Sequence, residues 1–312
     1  MLFGKYFRNY GITIFVIVLL LNITSFAQLQ NSSPDSSSQK KITENDSSAV
    51  SNYDFTKMPK WYEMITNIPG DISKYFQVTF RENKIPLYLT VAATTAALVV
   101  TDDKTWQESD KFYKKGGAGK RWSDIFIEMG DGKTQFGLGA LFGIYGLITN
   151  DVRAVRTGSQ IIQAVLASGT VVQVLKHITG RESPFVATTP TGIWNFFPNQ
   201  IKYHQHVPHY DAFPSGHVTT FVATVIVIAE NYPEVWWIRP VGYLCTAGLA
   251  VSMVNKGIHW YSDYPLAIAL GYTFGMIAAH PEGIPNSIAG KKLNVMPMLV
   301  DKGFGLSVGF SF

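Results

Sequence analysis

Three short stretches of the sequence concentrate the side chains that could bind and attack an oxyanion. They are 176–184 (Lys-His-Ile-Thr-Gly-Arg-Glu-Ser-Pro), 213–217 (Phe-Pro-Ser-Gly-His) and 252–263 (Ser-Met-Val-Asn-Lys-Gly-Ile-His-Trp-Tyr-Ser-Asp). Each stretch lies beside the end of an apolar segment of helical length. A cation, an anion cradle with a histidine, and a second histidine followed by a carboxylate would together form a phosphate site with a nucleophile and an acid.

The stretch 213–217 predicts an anion cradle at the start of a helix. The Ser215 hydroxyl can donate a hydrogen bond, Gly216 lets the backbone approach closely, and the helix N-terminus adds a partial positive charge. His217 is then within reach of the bound anion. An ordinary helix cap is the alternative interpretation of the same four residues.

The pair His259 and Asp263 is spaced four residues apart, so that on a helix both side chains share one face. The carboxylate would hold one ring nitrogen and leave the other available for attack. A structural ion pair is the alternative. Lys176 could bind the anion or only offset the dipole at a helix C-terminus. Because all these groups recur in order at helix ends, we interpret them as one site.

The surrounding chain predicts an all-α domain over residues 56–285. Its six apolar segments of helical length are about 86–100, 135–149, 157–176, 217–231, 238–254 and 262–279. The polar stretches 102–134 and 181–216 are interpreted as loops. Most of the charge-free stretches are shorter than the roughly 20 residues that a membrane span needs. This favours a six-helix bundle outside the bilayer or associated with it, while spanning helices remain the alternative.

The two ends of the chain differ from this domain. Residues 1–27 predict a secretory signal, with Lys5 and Arg8 before an apolar run and small residues at 25 and 27. An uncleaved membrane anchor is the alternative. Residues 28–55 are polar and predict a flexible linker. Residues 290–312 predict a short β-hairpin packed on the bundle, because apolar and small residues alternate there.

Composition excludes several classes of protein. The 312 residues are 46% hydrophobic and 15% charged, with a net charge of +4, which argues against a disordered chain and against nucleic-acid binding. The single cysteine, Cys245, excludes an intramolecular disulfide framework and a multi-cysteine zinc site. His204, His206 and His209 lack nearby metal-ligand partners apart from Asp211, so we interpret them as a pocket rim. No metal and no cofactor is predicted.

The ordered set of motifs resembles the type 2 phosphatidic acid phosphatase superfamily, which also contains bacterial non-specific acid phosphatases and vanadium haloperoxidases. The family pattern is Lys-x6-Arg-Pro, then Pro-Ser-Gly-His, then Ser-Arg-x5-His-x3-Asp. The positions of this sequence that fit the pattern are Lys176, Pro184, 214–217, Ser252, His259 and Asp263. The resemblance covers about 86–280, includes the count of six helices, and implies a bundle of this phosphatase and haloperoxidase type.

The sequence departs from the family pattern at two arginines that clamp the phosphoryl oxygens. Ser183 and Met253 stand at these positions. Arg181 and Lys256 lie two and three residues away and are the candidates to replace them. A lysine would do so without the bidentate geometry of an arginine.

The resemblance implies that His259 attacks a phosphomonoester and forms a phosphohistidine, that Asp263 orients His259, and that His217 is the general acid and base. The implied phosphate-binding residues are Lys176, Arg181, Ser215, Gly216 and Lys256. The expected substrate is a phosphorylated lipid or a small phosphoester. The expected location is the periplasm or the cell-envelope membrane. A non-specific acid phosphatase, a vanadate-dependent haloperoxidase and a catalytically weakened binding protein are the alternatives.

Overall fold

The computed structural model of the protein describes residues 56–81 and 84–284, together with the backbone of two strands at 292–300 and 303–311. The predicted signal sequence (1–27) and the predicted linker (28–55) lie outside the described residues.

The described domain is all-α, as predicted. Its α-helices are α1 (Glu63–Thr66), α2 (Ile68–Thr79), α3 (Ile85–Val99), α4 (Asp102–Lys114), α5 (Gly117–Gly130), α6 (Gly132–Thr149), α7 (Val152–Thr179), α8 (Gln200–Gln205), α9 (Gly216–Asn231), α10 (Ile238–Asn255) and α11 (Tyr264–Ala279). The six predicted apolar segments correspond to α3, α6, α7, α9, α10 and α11. Helix α7 packs against α6, α9 and α11, which places it in the core.

The interpretation of 102–134 as a loop is wrong, because this stretch forms α4 and α5. Helix α4 is polar, yet acidic residues occupy its first turn and lysines its last turn, which complements the helix dipole. Lys114 also pairs with Asp110 at 2.7 Å, one helical turn away. A search for apolar segments misses a helix that is stabilised in this way.

Helices α9 and α11 form a close contact that fixes the distance between two of the motif stretches. Gly271 of α11 lies so near α9 that a Cβ atom there would be 2.4 Å from the Thr219 carbonyl oxygen. Gly275 makes a similar approach, one turn further along, to Ile226 and Ala223. Since α9 begins at Gly216 and α11 begins directly after Asp263, this contact sets the spacing of His217 and Asp263.

Within the described residues, α7 has the length and apolar composition that a membrane crossing requires. Helices α3 and α4 meet the same criterion only as a pair, and that pair is bent by 63°. A core helix of a soluble protein also meets it, and α7 is buried along much of its length. The predicted membrane association therefore stays a prediction.

Two C-terminal strands, β1 (Lys292–Val300) and β2 (Gly303–Ser311), pair in antiparallel register, with Val300 opposite Gly303. The side chains of these strands lie outside the described residues. The prediction that a hairpin packs on the bundle therefore stays a prediction.

Candidate active site

The motif stretch 213–217 caps helix α9. Ser215 is the N-cap residue, and its Oγ accepts a hydrogen bond from the Val218 backbone N–H at 3.4 Å. The Ser215 backbone N–H donates to the Asp263 backbone carbonyl at 3.3 Å. The helix start at 216 is therefore joined directly to the turn that carries Asp263. Since the Ser215 and Val218 amides have these acceptors, the predicted anion cradle would rest on the amides of Gly216 and His217, and it stays a prediction.

Lys176 lies beside this cradle, in the last turn of α7. A Cβ atom on Gly216 would be 3.9 Å from its Nζ, and the lysine side chain is buried. Its Nζ is 3.4 Å from Oδ2 of Asp211, a partly exposed carboxylate. The ammonium is thus held between the start of α9 and Asp211, where it can also contact an anion bound at Gly216.

His259 is buried and is held through one ring nitrogen. Its Nδ1–H donates to the Ala212 carbonyl oxygen at 2.7 Å, and the Oδ2 atom of Asp263 lies 3.4 Å from the same nitrogen. The prediction that His259 and Asp263 share a helical face is wrong, because His259 precedes a single 3-10 turn at Tyr261–Asp263. The carbonyl therefore fixes the tautomer, Asp263 lies behind it, and Nε2 is the nitrogen that remains for attack.

The ring of His217 lies opposite that of His259. The centroids of the two rings are 6.3 Å apart and their planes are inclined by 69°. Burial, together with the nearby charges of His259 and Lys176, lowers the pKa of His217 to about 4. The ring is therefore neutral near pH 7. An anion bound between the rings would raise the pKa and favour the protonated form.

Arg181 does not line the pocket as a phosphate clamp. Its side chain is completely buried, and its Nη1 donates to the Ser262 Oγ and the Asp263 Oδ1, both at 2.6 Å. Its Nη2 donates to the Asp102 Oδ2 and the Thr191 carbonyl, both at 2.9 Å. The prediction that Arg181 replaces a missing phosphate-binding arginine is therefore corrected: this guanidinium supports Asp263 from behind.

Lys256 also points away from the cradle. It is exposed, and its Nζ lies 3.5 Å from Asp124 on the surface. The two positions where the family has arginine are used structurally, since the Ser183 N–H donates to the Pro208 carbonyl and Met253 is in the hydrophobic core. The prediction that Lys256 replaces an arginine is thus not supported. Within the described chain, Lys176 is the cation next to the start of α9.

The segment 181–216, which joins α7 to α9, carries several exposed apolar side chains. Those that are large and at least 45% exposed are Phe185, Ile193, Phe196, Phe197 and Ile201. Trp194 instead packs inward, with its ring 4.6 Å from the Arg181 guanidinium. In the described part of the chain, no group of three His, Cys, Asp or Glu side chains is arranged to hold a metal ion.

Three groups of the site were not assigned a role from the sequence. The Ala212 carbonyl and Asp211 lie just before the Pro-Ser-Gly-His motif, and their proximity to that motif was the available signal. Asp102 begins α4, and nothing in its local sequence indicates that it reaches Arg181. Only the folded chain brings these groups together.

Comparison with known proteins gives one match. Residues 158–281 match the family model described as PAP2 superfamily. The matched range contains every motif residue from Lys176 to Asp263 and leaves out Asp102. No curated protein and no solved structure matches the sequence.

Proposed function

Residues 158–281 belong to the type 2 phosphatidic acid phosphatase (PAP2) superfamily, and from that premise we propose that this protein is a phosphomonoesterase that works through a phosphohistidine on His259. The superfamily supports a phosphatase-type hydrolase acting on phosphoesters in general. The assignment of residues to steps is our proposal. The observation that carries it is the orientation of His259, whose Nδ1 is engaged by Ala212 while its ring faces His217.

In the first step, His259 Nε2 attacks phosphorus and the bond from phosphorus to the leaving oxygen breaks. His217, protonated once the anionic substrate is bound, gives its proton to that oxygen. The spacing of the two rings is of the order that a phosphoryl group needs, because reacting atoms approach to about 3–3.5 Å. Asp263 stabilises the positive charge that the phosphorylated imidazole acquires.

In the second step, His217 removes a proton from water, and the resulting oxygen attacks phosphorus. The phosphorus–nitrogen bond breaks, which releases inorganic phosphate and restores His259. Lys176, the Ser215 hydroxyl and the Gly216 amide stabilise the non-bridging oxygens in both steps. No step in this scheme requires a metal ion.

A lipid phosphate is the substrate class that we favour. The segment 181–216 leads directly into the cradle, and its exposed apolar side chains would contact an acyl or prenyl chain. Export to the periplasm or cell envelope, with membrane association, is part of the same proposal and rests on residues 1–27. A soluble phosphoester would bind at the cradle without contacting these apolar side chains.

The test measures phosphate release by the purified protein on phosphatidic acid, a polyprenyl pyrophosphate and 4-nitrophenyl phosphate. Acid-stable and acid-labile phosphoenzyme are quantified after rapid quenching, because phosphohistidine is acid-labile. We expect turnover on a lipid phosphate, a labile phosphoenzyme, and loss of both in His259→Ala.

His280→Ala is the matched control, since both ring nitrogens of this histidine pair with carboxylates, those of Glu230 and Glu282, at the ends of α9 and α11 away from the site. It should retain wild-type turnover. Absence of turnover on all three substrates by folded protein would contradict the phosphatase proposal and support a binding role. Bromide oxidation on addition of vanadate, without phosphate release, would support a haloperoxidase instead.

A further inference from the structure

We propose that Asp102, outside the residues that match the family, is a positioning residue for the reaction: its negative charge balances Arg181, so that Asp263 keeps its own charge available to His259. The inference rests on the proposed phosphohistidine mechanism. Asp102 does not contact the substrate in this proposal. It acts through Arg181 and Ser262.

The geometry is a closed cluster of four completely buried side chains. Arg181 donates to Asp263 at 2.6 Å through Nη1 and to Asp102 at 2.9 Å through Nη2. The Ser262 hydroxyl donates to Asp102 and accepts from Arg181, and the Ser262 backbone N–H also donates to Asp102 at 3.3 Å. Asp102 thus holds both the guanidinium and the 3-10 turn that carries Asp263.

With both carboxylates ionised, the charges of this cluster sum to one negative charge, since two carboxylates share one guanidinium. Burial raises the pKa of Asp102 above its ordinary value, and the adjacent Arg181 guanidinium opposes this change. In a buried site an arginine paired only with Asp263 would neutralise it, and His259 would then face a cluster with no net charge. With Asp102 present, one negative charge remains beside the imidazole. That charge is needed when His259 becomes cationic on phosphorylation.

A purely structural role would not require this charge. Other groups also hold Arg181, namely the Thr191 carbonyl and the ring of Trp194 at 4.6 Å. The turn at Tyr261–Asp263 has its own anchor, because Asp263 Oδ2 accepts from the Trp260 backbone N–H at 2.7 Å. What Asp102 adds to these contacts is a second carboxylate.

The experiment compares Asp102→Asn with Asp103→Asn in the full-length protein, measuring kcat, KM and the amount of phosphoenzyme. Asp103 is the next residue on α4, and its carboxylate accepts from the Gln107 side chain at 2.9 Å near the surface. We expect Asp102→Asn to lower kcat by about 10- to 100-fold with little change in KM, because it affects the transition state and not the cradle. Asp103→Asn should stay within about twofold of wild type.

A double variant, Asp102→Asn with Arg181→Gln, separates charge from structure. It removes both balancing charges and returns the cluster to one negative charge, so kcat should exceed that of Asp102→Asn by about fivefold or more. A structural role predicts that the double variant is as impaired as the single variant, or more so. If Asp102→Asn does not fold by circular dichroism, the double variant decides alone: activity within about tenfold of wild type supports the proposal, and a folded but inactive protein overturns it.

Failure of this inference can be told apart from failure of the proposed function. An active wild type with equal kcat in the Asp102→Asn and Asp103→Asn variants overturns the role of Asp102 and leaves the phosphatase in place. A folded wild type that neither turns over nor forms a labile phosphoenzyme overturns both.

Discussion

The two ends of the helical bundle each hold a histidine, a carboxylate and an arginine, but the hydrogen-bond partners of the two histidines differ. At the end away from the candidate active site, His280 Nε2 lies 2.9 Å from Glu230 and its Nδ1 lies 3.1 Å from Glu282. Arg239 joins Glu230 at 2.6 Å. Both ring nitrogens of this histidine are therefore engaged by carboxylates.

At the other end, His259 has Nδ1 engaged by a carbonyl, and its ring lies opposite His217. A buried cation, Lys176, adjoins the same space. The difference teaches that a histidine beside a carboxylate does not by itself indicate catalysis. The distinguishing feature of His259 is that its Nε2 has no carboxylate partner in the described chain, while its ring lies opposite His217, where an anion could bind.

The pKa values of His280 and His217 also differ between the two ends of the bundle. Burial alone would lower the pKa of His280, but hydrogen bonds to Glu230 and Glu282 raise it above its ordinary value. For His217, burial and neighbouring positive charge act together and lower the pKa to about 4. One end thus favours the protonated form of its histidine within an ion-pair cluster, while the other favours the neutral form of a histidine whose protonation an anionic ligand would promote.

The largest expected effect comes from exchanging the two histidines for alanine. His259→Ala should reduce kcat by at least about 1,000-fold, because it removes the nucleophile. His280→Ala should keep nearly full kcat and lower the melting temperature by several degrees, because it opens an ion-pair cluster. Phosphate release and thermal unfolding measure the two effects. Loss of kcat in a folded His280→Ala protein would break the comparison.

The next effect is the pH dependence of kcat/KM for an alkyl phosphate. The proton donor His217 carries more of its required proton as the pH falls from 7 toward about 4, so the rate should rise by up to about tenfold per pH unit. With 4-nitrophenyl phosphate the profile should be flatter, since a good leaving group needs less protonation. Equal profiles for the two substrates would argue against His217 as the acid.

A smaller effect distinguishes the two lysines of the motif stretches. Lys176→Ala should lower kcat/KM by about 10- to 100-fold, since a charge-assisted hydrogen bond contributes roughly 1.5–3 kcal/mol. Lys256→Ala should change it less than about twofold, because this lysine pairs with Asp124 on the surface. Steady-state kinetics on one substrate test both, and a larger loss in Lys256→Ala would reverse the assignment.

Helix periodicity, which is a local property, predicted the six apolar helices. The order of the motifs and their resemblance to a family pattern grouped His217, His259 and Asp263 in one site. The predictions that failed were those in which tertiary contacts override the local sequence pattern. The four-residue spacing of His259 and Asp263 suggested a helix, whereas the chain there makes an extended segment and one 3-10 turn. The closest partner of His259 is a backbone carbonyl, which carries no mark in the sequence.

The assignment of Arg181 failed for a related reason. Its position two residues from Ser183 suggested that it replaces a phosphate-binding arginine. Its hydrogen-bond acceptors include Asp102 and Ser262, which are distant from it in the chain. Helix α4, which supplies Asp102, was itself mistaken for a loop. An error about one polar helix therefore concealed the reason why a nearby arginine is buried.

The close contact at Gly271 links the site to a residue outside it. Seven residues of helix separate Gly271 from Tyr264, a distance of about 10 Å. A methyl group at 271 would act as a wedge between α9 and α11, because it would meet the Thr219 carbonyl at 2.4 Å. Since His217 and Asp263 stand at the near ends of those helices, a substitution at 271 is expected to change the distance between them although residue 271 lies outside the site.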